Sequence, residues 1–387
     1  MNILDVDPTG YESETTGRVL VALNGDVRPK DIRQFVAQNL KSRRQLESFL
    51  LQVDVLDDLG LLVLPQTAAA TDLAGAAFAK GLIEAASLEM RIPGSPLVDV
   101  PLEEAIPGTS ILEAIGVGDM PGKVKIAILD SGIDIRHVDY QERIWDVRTF
   151  TNVSPFHHLG HGTAMTGLVC GARVPAEGQR YGVAHGATVI FGCIYDDAFD
   201  TTDAIILQAL RWAMRQNAVV AYVGVESLTR KPFRAAFEIA ARRLLRKGLV
   251  IVAAAGNGAG PVVHPGNCPS VLAVGGLLHI DGQFKQTDNS AVGKETDPID
   301  VAAPGFPAIR SSAPQNGYRA SGGTSHAAAL VTGVAALWAE RCHLRGKDLW
   351  HAVTGSAVRT PNAYAPKKVG CGVARAPQCA RGRDRLW

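Results

Sequence analysis

The sequence predicts an α/β protein: a doubly wound, mainly parallel sheet preceded by a small α+β ferredoxin-like unit. Three observations predict it. From Val124 onward, apolar stretches alternate with amphipathic ones, the order that builds a parallel sheet with helices on its faces. The strand candidates are nearly continuous apolar runs, as expected when both faces of a sheet are covered. Upstream, residues 17–95 run strand, helix, strand, strand, helix, strand, which is the split βαβ order.

Residues 1–16 form a polar, acidic tail. In the unit that follows, Arg18 to Leu23 reads as a strand. Pro29 to Leu40 reads as a helix, with Pro29 near its start and Ile32, Phe35, Val36 and Leu40 on one face. Two apolar runs, Leu50 to Leu56 and Leu61 to Leu64, meet at Gly60. Ala68 to Lys80 is Ala-rich and helical, and Ile83 to Ile92 alternates like a strand. Residues 96–122 are a connector punctuated by Pro96, Pro101, Pro107 and Pro121, with Pro93 just before it. Such spacing predicts extended chain and exposed turns.

In the segment 123–376, strands are expected over 124–129, 187–194, 218–225, 249–254 and 270–276. Helices are expected over 204–217 and 232–247. The second helix carries Phe233, Phe237, Ala240, Leu244 and Leu245 on one face, with Arg234, Arg242, Arg243, Arg246 and Lys247 mostly off it. A solvated outer face is the plain expectation for those cations, and a partner-binding face the alternative. Residues 377–387 are a basic tail.

Composition excludes some function classes. Of 387 residues, 47% are hydrophobic and 20% charged, with net charge +1. That is an ordinary globular balance, with no electrostatic argument for a nucleic-acid or membrane partner. The N-terminus has no basic and apolar leader pattern, so a cytoplasmic product is expected, with export by another route as the alternative. Six cysteines form no C-x-x-C pair, which argues against structural zinc. Cys170 and Cys193 read as small buried hydrophobes. Cys371 and Cys379 are a candidate pair only in an oxidising compartment.

Four short strings carry the chemistry: Asp130-Ser131-Gly132, His161-Gly162-Thr163, Ala255-Gly256-Asn257-Gly258 and Gly323-Thr324-Ser325. Asp130 closes an apolar strand, and the carboxyl ends of parallel strands are where ligand groups collect. A carboxylate there can hold a histidine in one tautomer. His161 stands between glycines at a helix start, with room to approach a nucleophile. A metal cluster with His157 and His158 lacks spaced carboxylates or thiolates. Ser325 opens an Ala-rich helix whose free N–H groups favour developing negative charge. Serine is also an ordinary N-cap at such a place. Asn257 follows an apolar strand, where its amide can donate to an oxyanion or simply make a turn.

Taken alone, each string is weak; together they resemble the subtilisin-like (subtilase) serine peptidases. The chain order Asp, His, Ser is that of subtilisin. The resemblance covers residues 109–376 and includes His137-Val138-Asp139, Tyr181-Gly182-Val183-Ala184, Pro265-Gly266-Asn267-Cys268-Pro269-Ser270-Val271 and Val301-Ala302-Ala303-Pro304-Gly305. It implies a nucleophile at Ser325, a general base at His161, an orienting carboxylate at Asp130, and an oxyanion hole at Asn257 with the Ser325 N–H. It implies a substrate cleft lined by Gly224, Val225, Glu226, Ala254 and Gly256. It also implies a peptide or protein substrate, no required cofactor, and an N-terminal propeptide acting as intramolecular inhibitor and folding aid.

Several departures stand out. Ala329 replaces the family's proline after the nucleophile, which admits ligation as an alternative to hydrolysis. Ala164 replaces a histidine outside the triad. The cleft strand that usually ends in S-L-G-G reads Gly224-Val225-Glu226-Ser227, and the Glu226 carboxylate admits a preference for basic substrates, with a solvated side chain as the alternative. The chain between Asn257 and Pro265 is short. The stretch 172–180, where many members bind calcium, holds one carboxylate and two arginines, a poor hard-cation cage. Asp139 alone matches a calcium-ligand position, so calcium is not expected there. The alternatives to an active endopeptidase are a maturation protease or ligase for one peptide, and a peptide-binding pseudo-protease.

Overall fold

The computed structural model describes residues 15–25, 27–39, 52–65, 67–94, 97–156, 160–225, 233–295, 298–360 and 365–378. The N-terminal unit comprises β1 (Thr15–Leu23), α1 (Pro29–Asn39), β2 (Asp54–Leu56), β3 (Leu61–Pro65), α2 (Ala68–Ala79) and β4 (Ile83–Pro93). Its sheet is antiparallel, in the order β2-β3-β1-β4. Successive residues of β1 point to opposite faces. Val19, Val21 and Leu23 pack with Ile32, Phe35 and Val36 of α1 and Leu73 and Ala77 of α2. Leu20 and Ala22 face the other way, into a core shared with the rest of the molecule.

The connector is more ordered than its prolines predict. It forms β5 (Asp99–Val100) and α3 (Gly108–Ala114). Ile111 and Ile115 are buried in the main core, because these apolar residues follow Pro107 at helical spacing.

The segment that builds the main sheet then runs β6 (Lys125–Asp130), β7 (Ile144–Thr149), α4 (His161–Cys170), β8 (Thr188–Cys193), β9 (Asp200–Thr202), α5 (Asp203–Arg215), β10 (Val220–Val223), α6 (Ala235–Arg246), β11 (Val250–Ala254), β12 (Leu272–Ile280) and β13 (Gln283–Lys285), of which β9 pairs instead with β4, antiparallel. After them come β14 (Val301–Phe306), β15 (Ile309–Ala313), β16 (Gly317–Ser321), α7 (Thr324–Cys342), α8 (Gly346–Gly355) and α9 (Pro366–Val369). The order across the sheet is β13-β12-β11-β10-β6-β8-β7, with β14 also on β12. All pairs are parallel except β12 with β13.

The strand β6 is the switch point. It pairs β8 on one side and β10 on the other, so later strands are added in opposite directions from it. In such sheets a crevice opens beyond the carboxyl ends at this place, and Asp130 ends β6.

The two sheet faces have separate cores. Ile126 and Ile128 pack with α4 and α7, whereas Ala127 and Leu129 pack with α5 and α6. Cys170 and Cys193 are fully buried, as expected of small hydrophobes, and burial pushes the Cys170 thiol up to about 12. Cys371 is a free, exposed thiol, and its candidate partner Cys379 lies outside the described residues.

The cations of α6 are not simply solvated. Arg242 and Arg243 pair with Glu84 of the N-terminal unit. Arg243 also donates to the carbonyls of Leu23, Leu59 and Gly60. Arg211 and Arg215 of α5 pair with Asp57 and Asp58. Leu20, Leu59, Leu61 and Ile92 of the N-terminal unit pack with Leu210, Phe237 and Leu244 between these ion pairs. The amphipathic α6 therefore buries one face on the sheet and its flank on the N-terminal unit.

Candidate active site

Asp130 is fully buried, and its Oδ1 accepts the Ser131 N–H at 2.6 Å. That bond fixes the carboxylate at the mouth of the switch-point crevice. His161 is the first residue of α4, directly after Gly160 at φ 83°. Its Nδ1 lies 2.7 Å from Asp130 Oδ2 and 2.9 Å from Oδ1. The ring is 8% exposed, so one edge is held by the carboxylate and the other meets the cleft.

Ser325 is the second residue of α7, whose N-cap is Gly323 rather than the serine. Gly323 adopts φ 151°, a backbone state that side chains disfavour. The Oδ1 of Asn257 accepts from the Thr324 N–H at 3.0 Å and the Thr324 hydroxyl at 3.2 Å. Those bonds tie the end of β11 to the start of α7, joining two elements far apart in sequence.

His161, Asn257, Ser325, Gly224 and Val225 line one cleft of about 300 Å³. A Cβ at Gly224 would collide with Asp130 Oδ2, so glycine there makes room for the carboxylate as well as bordering the cleft. Ala254 and Gly256 are placed differently. Ala254 is buried in the main core, and Gly256 packs against Val263. Glu226 lies outside the described residues, as do His157 and His158.

Other residues line the same cleft: Leu97, Val98, Tyr195, Phe306 and His326. Leu97 and Val98 come from the connector. They carry no chemistry that a sequence motif flags; only the path of the chain brings them here.

Comparison with known proteins gives the family. Residues 122–372 match the family described as the subtilase family. The chain belongs to the subtilases. A subtilisin-like protease of Coccidioides posadasii (strain C735) is 33% identical over 220 residues, 55% of this chain and 51% of that one. Subtilisin NAT of Bacillus subtilis subsp. natto is 30% identical over 220 residues, 55% of each. The chain thus spans about half the length of these relatives. Among solved structures, fervidolysin from Fervidobacterium pennivorans, a keratinolytic enzyme related to subtilisin, aligns at TM-score 0.70 and 19% identity. It covers 94% of this chain and 61% of its own. A cold-adapted subtilisin-like serine proteinase aligns at TM-score 0.56 and 22% identity, covering 70% of this chain and 96% of its own. Both show a common fold.

In this subtilase Asp139 is satisfied by protein donors. Its Oδ1 accepts from the Ala176 N–H at 2.9 Å, and its Oδ2 from Tyr181 and Tyr318 hydroxyls at 2.6 and 3.0 Å. Calcium takes six to eight oxygen ligands. A carboxylate already engaged by these three protein donors does not fit that demand. Among the described residues no three His, Cys, Asp or Glu side chains group as metal ligands. Nor is any described helix long and apolar enough to cross a membrane.

Proposed function

We propose that this subtilase is a serine endopeptidase that cuts peptide bonds through an acyl-enzyme. The observation that carries the reading is the Asp130–His161 bond at 2.7 Å, in a cleft shared with Ser325 and Asn257. Asp130 accepts a hydrogen bond from the Nδ1–H of His161, which leaves the Nε2 lone pair for the Ser325 hydroxyl. His161 removes that proton as Ser325 Oγ bonds to the substrate carbonyl carbon. The oxyanion meets the Asn257 amide and the Ser325 N–H. His161 then protonates the leaving amine, and water repeats the sequence to release the acid. The bonds from Thr324 to Asn257 Oδ1 support the donor role, since they orient the amide before the charge develops.

The N-terminal unit is read as an intramolecular inhibitor. Its connector supports this: Leu97 and Val98 line the same cleft as His161 and Ser325, where a substrate must lie.

Intact-mass analysis of wild type and Ser325→Ala, with and without a fluorophosphonate, tests both points. Wild type should gain one probe mass on Ser325 and lose a fragment ending in the connector, and the variant should do neither. Peptide turnover should fall by about 10⁶, the effect measured for the equivalent change in subtilisin. Turnover in Ser325→Ala within a hundredfold of wild type would overturn the proposal.

A further inference from the structure

The chain's own connector borders the cleft. Upstream, the Gly94 N–H donates to the Phe199 carbonyl at 2.6 Å. Leu97 and Val98 then line the cleft, and Asp99 and Val100 pair antiparallel with Ser321 and Ala320 of β16. A peptide laid in the same direction has its leaving-group side along β16.

The backbone of β16 offers pairing to any extended segment, whereas the side chain of Arg319 discriminates. Its Nη2 and Nε lie 2.5 and 2.7 Å from Asp99 Oδ1. The guanidinium is 14% exposed and sits against Gly160, the residue before His161. A partly buried guanidinium matches a carboxylate and repels an ammonium placed in the same register.

We propose that the β16 edge now held by β5 docks the leaving-group side of substrates by strand addition, and that Arg319 selects an acidic residue there. The proposal rests on the endopeptidase reading. Asp99 is then the chain's own copy of the preferred side chain. Its 57% exposure makes the selection modest and salt-sensitive.

The test uses two internally quenched peptides with the sequence of residues 89–103, one keeping Asp at the position of Asp99 and one carrying Lys. Both are assayed on full-length wild type, Arg319→Glu and Arg319→Gln, with active sites counted by fluorophosphonate labelling of Ser325. The two peptides meet the same competitor, the chain's own connector, so the ratio of their rates is unaffected by it. Wild type should favour the Asp peptide by about fivefold in kcat/KM at low salt, and less at 0.5 M salt, as an exposed-edge ion pair of this kind implies. Arg319→Glu should reverse the order, and Arg319→Gln should abolish it even if the glutamate variant fails to fold. Equal rates in wild type, or one ratio in all three chains, overturns the proposal. A labelled Ser325 with neither peptide cut overturns the docking alone. An unlabelled Ser325 with neither peptide cut overturns the endopeptidase reading and the docking with it.

Discussion

His326 follows the nucleophile and is fully buried, with its Nε2 2.9 Å from the Ser321 hydroxyl. Burial, then the nearby His161 and Arg319, push its pKa down to about 3. Unfolding restores an ordinary value near 6.5, so below that pH the unfolded chain binds a proton that the folded chain refuses. Stability is therefore full above about pH 6.5 and falls as pH drops toward the folded value, by up to about 1.4 kcal/mol per pH unit. His326→Met should flatten this dependence, losing about 2 kcal/mol less than wild type between pH 6.5 and 5. Denaturant midpoints across that range measure it. Parallel acid slopes in both chains would contradict the account. Asn257→Ala should lower kcat by about 10²–10³, the effect of removing the matching donor in subtilisin, with KM little changed. Steady-state kinetics with an uncharged peptide substrate checks this.

Among the elements, β4 and α5 meet through Glu89. This fully buried carboxylate accepts from Arg18 at 2.6 and 2.9 Å, from the Thr16 hydroxyl at 2.5 Å and from the Ala204 N–H at 3.0 Å. It satisfies a free amide at the N-terminus of α5 while holding the N-terminal unit against it. Glu89→Ala leaves that amide unpaired and Arg18 with Asp54 alone as its carboxylate partner. It should loosen docking by about 2–3 kcal/mol, read as faster amide exchange in β4 and β9 of the full chain. Unchanged exchange there would refute the role. The sequence announces these elements better than their neighbours. Helix α6 is legible from its apolar spacing, but periodicity says nothing of what covers the opposite flank, so Arg243 reads as solvated. The strand β14 is obscured by Pro304 and Gly305. Among the described residues its one partner within the main sheet is β12, and an edge position tolerates a proline.

Across the whole molecule, the sheet of the N-terminal unit forms one more layer on helices α5 and α6. Leu59, fully buried in that joint core, marks the seam. Leu59→Ala should cost about 2–5 kcal/mol. The loss should appear as faster exchange on both sides of the seam, in β3 and in α6, by hydrogen-exchange mass spectrometry. A change confined to the N-terminal unit would show that the seam is not cooperative. Asp130, His161, Asn257 and Ser325 are legible because each stands at a strand end or helix start, where chemistry-bearing side chains leave the core. Ala254 and Gly256 are neighbours of Asn257 in sequence, yet the end of a covered strand keeps them inside. The cleft residues Leu97, Tyr195 and Phe306 become visible only when topology gathers them. Leu97 and Val98 line the cleft, and on the inhibitor reading proposed above their tether fixes how occupancy responds to dilution. While the polypeptide is continuous, such a segment would face its site at the millimolar effective concentration typical of short tethers, however thin the solution. Once a bond in that connector is severed, blockade would become bimolecular, and the same contacts would then respond to crowding, volume and removal of the freed fragment.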